Sequence, residues 1–183
     1  MILLSVIIIL AVLILWSVFI YNTLIKQNDQ TQEAWSCIDV QLKRRHDLIP
    51  DLIETVKGYA THESKVFQQV TDLKSKIGET QSISEKGELN NALSSGLAQL
   101  IAVAEQYPDL KLNENFIQLQ QQLSIIEAQI QTTRKYYNDT TRDYNTSLQS
   151  VPQVFIANAF QFEPFEYFEI EQNETLQVDL KNK

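Results

Sequence analysis

The first twenty residues, MILLSVIIILAVLILWSVFI, contain no charge, no Pro and no Gly, and their only hydroxyls are Ser5 and Ser17. Wound as an α-helix, a run of this length rises about 30 Å, the thickness of the hydrocarbon core of a bilayer. It is apolar on every side, whereas a surface helix of a soluble domain keeps one polar face. Trp16, Phe19 and Tyr21 gather toward its far end, where an interfacial aromatic belt sits. A cleaved signal peptide would need a basic n-region and a small-x-small cleavage site. No Lys or Arg precedes the run, and FIYNTLIKQ follows it. The expectation is an uncleaved transmembrane anchor over residues 1–21, in contact with membrane lipid. Lys26, then Lys43, Arg44 and Arg45, lie after the span, and the positive-inside rule then puts the rest of the chain in the cytoplasm.

Residues 22–150 read as long helices. Gly and Pro number four each, too few breakers for a strand-and-turn fold of this length. Leu24, Asn28, Thr31, Trp35, Ile38, Leu42, Arg45 and Ile49 repeat at three and four residues along one seam. Ile49, Ile53, Val56, Ala60, Phe67, Val70 and Ile77 continue it, widened by Leu52, Tyr59, Val66 and Leu73. Pro50 cannot donate to the carbonyl of His46, so a kink or a turn is expected near residues 46–50. Residues 78–87 (GETQSISEKG) read as a loop, with Ser82 and Glu85 spaced as a capping box for a helix that buries Leu89, Leu93, Leu97, Leu100, Ile101 and Ala104. That helix ends at Tyr107-Pro108-Asp109. Asn113 then caps a last helix, where Phe116, Leu119, Leu123, Ile126, Ile130, Thr133, Tyr137, Thr140 and Tyr144 keep a coiled-coil-like spacing.

Residues 151–183 form an aromatic and acidic tail. Phe160 alternates with Phe162, and Phe165 with Tyr167, as in short extended structure. Two readings stand: the tail folds back and buries its rings, or Phe160, Phe162, Phe165 and Phe168 dock a partner. Residues 171–183 are polar and read as frayed.

The formal net charge of −8 and the pI near 4.8 exclude a nucleic-acid binder of the ordinary basic kind and disfavour acidic substrates. Cys37, the sole cysteine, excludes an internal disulfide and reads as a small packed residue beside the seam. Cys37, His46, His62 and Glu63 lack metal-site spacing, so no metal or other cofactor is expected. His46 and Asp47 are adjacent, and adjacent helical positions do not face each other. No nucleophile elbow, P-loop or dinucleotide motif occurs, so no enzyme is expected. Lys43, Arg44 and Arg45 are the most concentrated charge. They suit lipid headgroups or, equally, a solvated helix face paired with Asp39, Asp47 and Asp51. Asn138-Asp-Thr140 and Asn145-Thr-Ser147 match glycosylation sequons inside the last helix and read as chance matches.

AWSCIDVQLKRRHDLIPDLIETVKGYATHE (34–63) resembles the signature of the LemA family. LIAVAEQYPDLKLNENFIQLQQQL (100–123), RKYYNDTTRDYN (134–145), YNTLIKQ after the anchor and the tail from Pro152 to Phe168 match in order. Asp51 stands where the family has Asn, and Gln161 where its tail has Gly between aromatics. The resemblance implies a bacterial cell (inner) membrane protein with one N-terminal span and an antiparallel four-helix bundle. It implies no established activity, and gene neighbours that include a membrane zinc metalloprotease. The expected function is a non-catalytic protein that binds another membrane or envelope protein, such as a protease or quality-control assembly. The alternative is a self-associating scaffold whose Phe116–Tyr144 seam pairs between copies while Lys43, Arg44 and Arg45 meet lipid.

Overall fold

The chain is described by a computed structural model covering residues 2–60 and 63–168. His62, and the residues from 169 on, where a frayed end is expected, lie outside the described residues. Among the described residues six helices follow one another: α1 (Ile2–Lys57), α2 (Ser64–Glu79), α3 (Ile83–Ala104), α4 (Pro108–Lys111), α5 (Glu114–Gln149) and α6 (Gln153–Ala159). Among the described residues there is no strand, and the fold is all-α.

The helix boundaries exclude the turn alternative near Pro50 and shorten the expected loop. At residues 46–50 the chain does not turn, because α1 continues through Pro50 to Lys57. Proline removes one backbone donor, and that loss is tolerable here because Ile49, Leu52 and Val56 bury the helix on either side of it. The break falls instead at Gly58, where Tyr59 and Ala60 both donate to the Val56 carbonyl, at 3.0 and 2.9 Å. The stretch read as one helix from Ile49 to Ile77 is therefore the end of α1 and the whole of α2. The long loop at 78–87 shrinks to residues 80–82. There the Glu85 amide donates to Ser82 Oγ at 3.3 Å, and the Thr80 hydroxyl donates to the Glu85 carboxylate. Asn113 caps α5 as its position predicts, its Oδ1 accepting from the Phe116 amide at 3.1 Å.

The chain divides into two compact units. The first joins Met1–Ser36 to Tyr136–Glu166, and the second joins Cys37–Lys135 to Tyr167–Lys183. In the second unit Ile49, Leu52 and Val56 of α1, Phe67 and Val70 of α2, Leu93, Leu97 and Leu100 of α3, and Phe116 and Leu123 of α5 share one core. Each such side chain stabilises the fold by roughly 1.5–3 kcal/mol on burial. α2 lies close on α3 at Gly96, where a Cβ would stand 3.3 Å from Val70 Cγ2. In the first unit α1 and α5 run antiparallel. The Asn28 amide donates to the Tyr144 hydroxyl at 3.2 Å, and the Trp35 and Tyr137 rings lie 5.5 Å apart. Seven residues forward on α1 thus match seven back on α5. Ile20, Leu24, Tyr144, Leu148 and Ala157 form the core there, with α6 packed on it.

Candidate interaction surfaces

Up to Phe19 the apolar run at the start of α1 has no protein around it. Every large apolar side chain from Leu3 to Phe19 is between 48 % and 77 % exposed, which water does not tolerate over so long a stretch. This is the one helix among the described residues long and apolar enough to cross a membrane. The Ser17 hydroxyl returns to the Leu13 carbonyl at 2.9 Å and so needs no partner in lipid.

The aromatic tail turns back onto the first unit. Phe160 and Phe162 lie 4.7 and 5.8 Å from the Tyr21 ring, and Phe165 lies 5.3 Å from Tyr144. Asn145 holds the tail backbone in both directions: its Nδ2 donates to the Phe165 carbonyl at 2.9 Å, and its Oδ1 accepts from the Phe165 amide at 3.0 Å. The Tyr137 hydroxyl donates to the Glu166 carbonyl at 2.6 Å. Burial raises the Tyr137 pKa above its ordinary value, and the Glu166 charge adds to the effect. Phe168 is buried, Phe162 and Phe165 are half-buried, and Phe160 stays exposed. Phe160, Phe162 and Phe165 thus lie against rings of α1 and α5, while Phe160 keeps most of its surface open. The extended structure expected at Phe160–Phe162 and Phe165–Tyr167 does not form: Phe160 and Gln161 make the turn that ends α6, and residues 162–167 carry no regular element.

The basic triplet is split. Lys43 and Arg44 are exposed, but Arg45 is 1 % exposed, which removes it from any surface patch. Its position on the α1 seam turns it inward. There it pairs with Glu127 at 2.7 Å, donates to Ser94 Oγ at 2.7 Å and meets the Asn90 side chain. Ser94 also donates to the other Glu127 oxygen, at 3.1 Å. A buried guanidinium persists only with such partners. Cys37 is exposed rather than packed, one position off the buried Ile38. His46 does reach its neighbour, with Nδ1 3.7 Å from Asp47 Oδ1. Partial burial and then Lys74 lower its pKa, against the opposing pull of Asp47. Among the described residues no three His, Cys, Asp or Glu side chains stand together as metal ligands. Two open grooves of about 460 Å³ each are lined mostly by polar and charged side chains, among them Gln68, Asp72 and Lys76 in one and Asp51, Glu54 and Gln122 in the other.

A profile described as the LemA family matches residues 34–181. The chain belongs to the LemA family. Protein LemA of Metamycoplasma hominis is 24 % identical over 159 residues, covering 86 % of this chain and 73 % of its own length. Magnetosome protein MamQ 2 of Paramagnetospirillum magneticum is 24 % identical over 175 residues, covering 81 % of this chain and 64 % of that protein. MamQ of Magnetospirillum gryphiswaldense is 22 % identical over 174 residues, with the same coverage. The chain thus spans less than two thirds of the MamQ proteins. With the exposed apolar end of α1, these findings make it a membrane-associated helical protein, and the family description indicates no catalytic class.

This LemA family chain keeps its polar contacts where sequence spacing gave little warning. Asn145 was legible only as part of a sequon. The one available signal for the Arg45 network was Glu127, the sole charge between Phe116 and Thr133. A lone carboxylate on an otherwise uncharged stretch of helix calls for a buried cation.

Proposed function

We propose that this chain is a membrane-anchored, non-catalytic interaction protein, with its helices on the cytoplasmic side of the cell membrane. The four long helices α1, α2, α3 and α5 support the reading of an antiparallel four-helix bundle. The observation that carries the interaction role is the outward face of α5 in the second unit. Between Glu114 and Arg134 this helix has one charge, Glu127, and Arg45 engages it. Ile117 and Ile125 are 37 % and 58 % exposed there. The exposed Gln121 lies between them, and the exposed Ala128 follows on the same face. An uncharged Ile, Ala and Gln surface of this kind, on an acidic chain, matches the charge-depleted core of a protein interface.

The partner is a second protein at the same membrane, and the family resemblance directs the search to a membrane protease or quality-control assembly. Pairing of copies through the Phe116–Tyr144 seam loses support, because Phe116, Leu123, Ile126, Ile130, Tyr137 and Tyr144 are already buried within the chain. A photo-crosslinking residue at position 125, activated in native membranes, tests the proposal. A discrete adduct with another protein, lost when Ile117→Lys is added, is the expected result. An adduct only with a second copy would move the reading to self-association, and no adduct at all would remove α5 as an interface.

A further inference from the structure

α6 lies level with the end of the apolar run. The antiparallel register that sets Asn28 against Tyr144 and Trp35 against Tyr137 brings Val151 level with Tyr21, the last residue of the apolar run. α5 stops at Gln149, just short of that level. α6 then packs Ala157 into the same cluster as Ile20, a residue inside the run. Ile20 is only 7 % exposed, whereas Phe19 beside it is 69 % exposed. The last turn of the span therefore has α6 on one side and open surroundings on the other.

The large side chains exposed on α6 and at its two ends are apolar, and the one exposed polar side chain of α6, Asn158, is uncharged. Val151, Phe155 and Phe160 are 75 %, 68 % and 60 % exposed, and the Phe160 ring stacks 4.7 Å from Tyr21. No charged residue occurs between Asp143 and Glu163, and none between Met1 and Lys26. The uncharged bands of the two chain segments thus coincide in depth, bounded by Lys26, Asp143 and Glu163. A bundle end facing water would not carry three exposed large apolar side chains on a segment without charge.

We propose that α6, with Val151 and Phe160 at its ends, is a second membrane contact, seated in the headgroup–acyl boundary of the leaflet from which α1 emerges. The occupant of this face is lipid, because the face is continuous with the lipid-facing surface of α1 at Phe19 and Tyr21. Helices that lie in that boundary present aromatic and aliphatic side chains to the acyl region in this way. The contact also orients the first unit. One span leaves a domain free to swivel, and a second point of attachment beside it removes that freedom.

The test uses the full chain in lipid nanodiscs. Phe155→Cys and Val151→Cys are each made with Cys37→Ser and labelled with an environment-sensitive fluorophore. Gln99→Cys, at an exposed position of α3, serves as the water-facing control. Lipids bearing a quencher at shallow acyl depth are expected to quench the labels at 155 and 151 severalfold more than the control, and aqueous iodide severalfold less. Quenching by iodide equal to the control would overturn the proposal. Shielding from both quenchers would also overturn it, since a protein surface would then cover α6.

Discussion

Gln161 sits at φ 56°, in the left-handed region that glycine enters freely and other residues enter at a cost of roughly 1–2 kcal/mol. The cause is the way α6 ends. The Phe162 amide donates to the Ala157 carbonyl at 3.0 Å and the Gln161 amide to the Asn158 carbonyl at 3.4 Å, the paired bonds of a Schellman ending with Gln161 at its glycine position. Phe162 packs into the cluster that holds Ala157, the apolar contact that completes the motif. Gln161→Gly is expected to stabilise the chain by about 0.5–1 kcal/mol, read as a rise in melting temperature in detergent micelles. Arg45 makes the opposite case. Arg45→Ala leaves Glu127, Ser94 and the Asn90 side chain without their shared cation; Glu127 is partly open to water, so the cost is that of lost charged hydrogen bonds, about 1.5–3 kcal/mol. Arg45→Met combined with Glu127→Leu is expected to recover most of that loss in denaturant unfolding. Failure of the double variant to recover would mean that the network does more than satisfy its own charges.

At the scale of elements, the tail is held by a side chain and not by a ladder. Asn145 offers an amide that mimics one strand neighbour, and Phe165 takes both of its bonds. Asn145→Ala is expected to cost about 1–3 kcal/mol and to raise hydrogen exchange at the Phe165 amide while α3 amides keep their protection. Unchanged exchange at Phe165 would assign the tail's attachment to its rings alone. Helical seams were readable in the sequence because burial repeats every three to four residues, and the positions read from Phe116 to Tyr144 are buried or half-buried in the structure. Helix caps at Ser82 and Asn113 were readable because they need a particular side chain at a particular spot. The end of α1 was not, because proline's local penalty at Pro50 is outweighed by the burial of Ile49 and Leu52, a tertiary effect. The Arg45 network and the Asn145 clamp join residues far apart in sequence, and no local pattern marks such pairs. Arg45 lay on the seam, yet the charge cluster around it read as surface.

For the molecule as a whole, the side of the membrane that receives the helices decides which partners can reach the α5 face. Lys26, Lys43 and Arg44 follow the span, and basic side chains after a span favour retention of that flank in the cytoplasm. Cys37 can report this directly. It is exposed, it is the sole cysteine, and it stands beyond Tyr21 by roughly 24 Å of continuous helix, well clear of headgroups. A membrane-impermeant maleimide is expected to leave Cys37 unmodified in intact cells and to label it after lysis with no denaturant added. Labelling in intact cells would put the helices outside and turn the partner search to envelope proteins. A requirement for denaturant would mean that something covers Cys37 in the membrane. The α1 face around it, with the exposed Val40 one turn on, would then be a second interface to set beside α5.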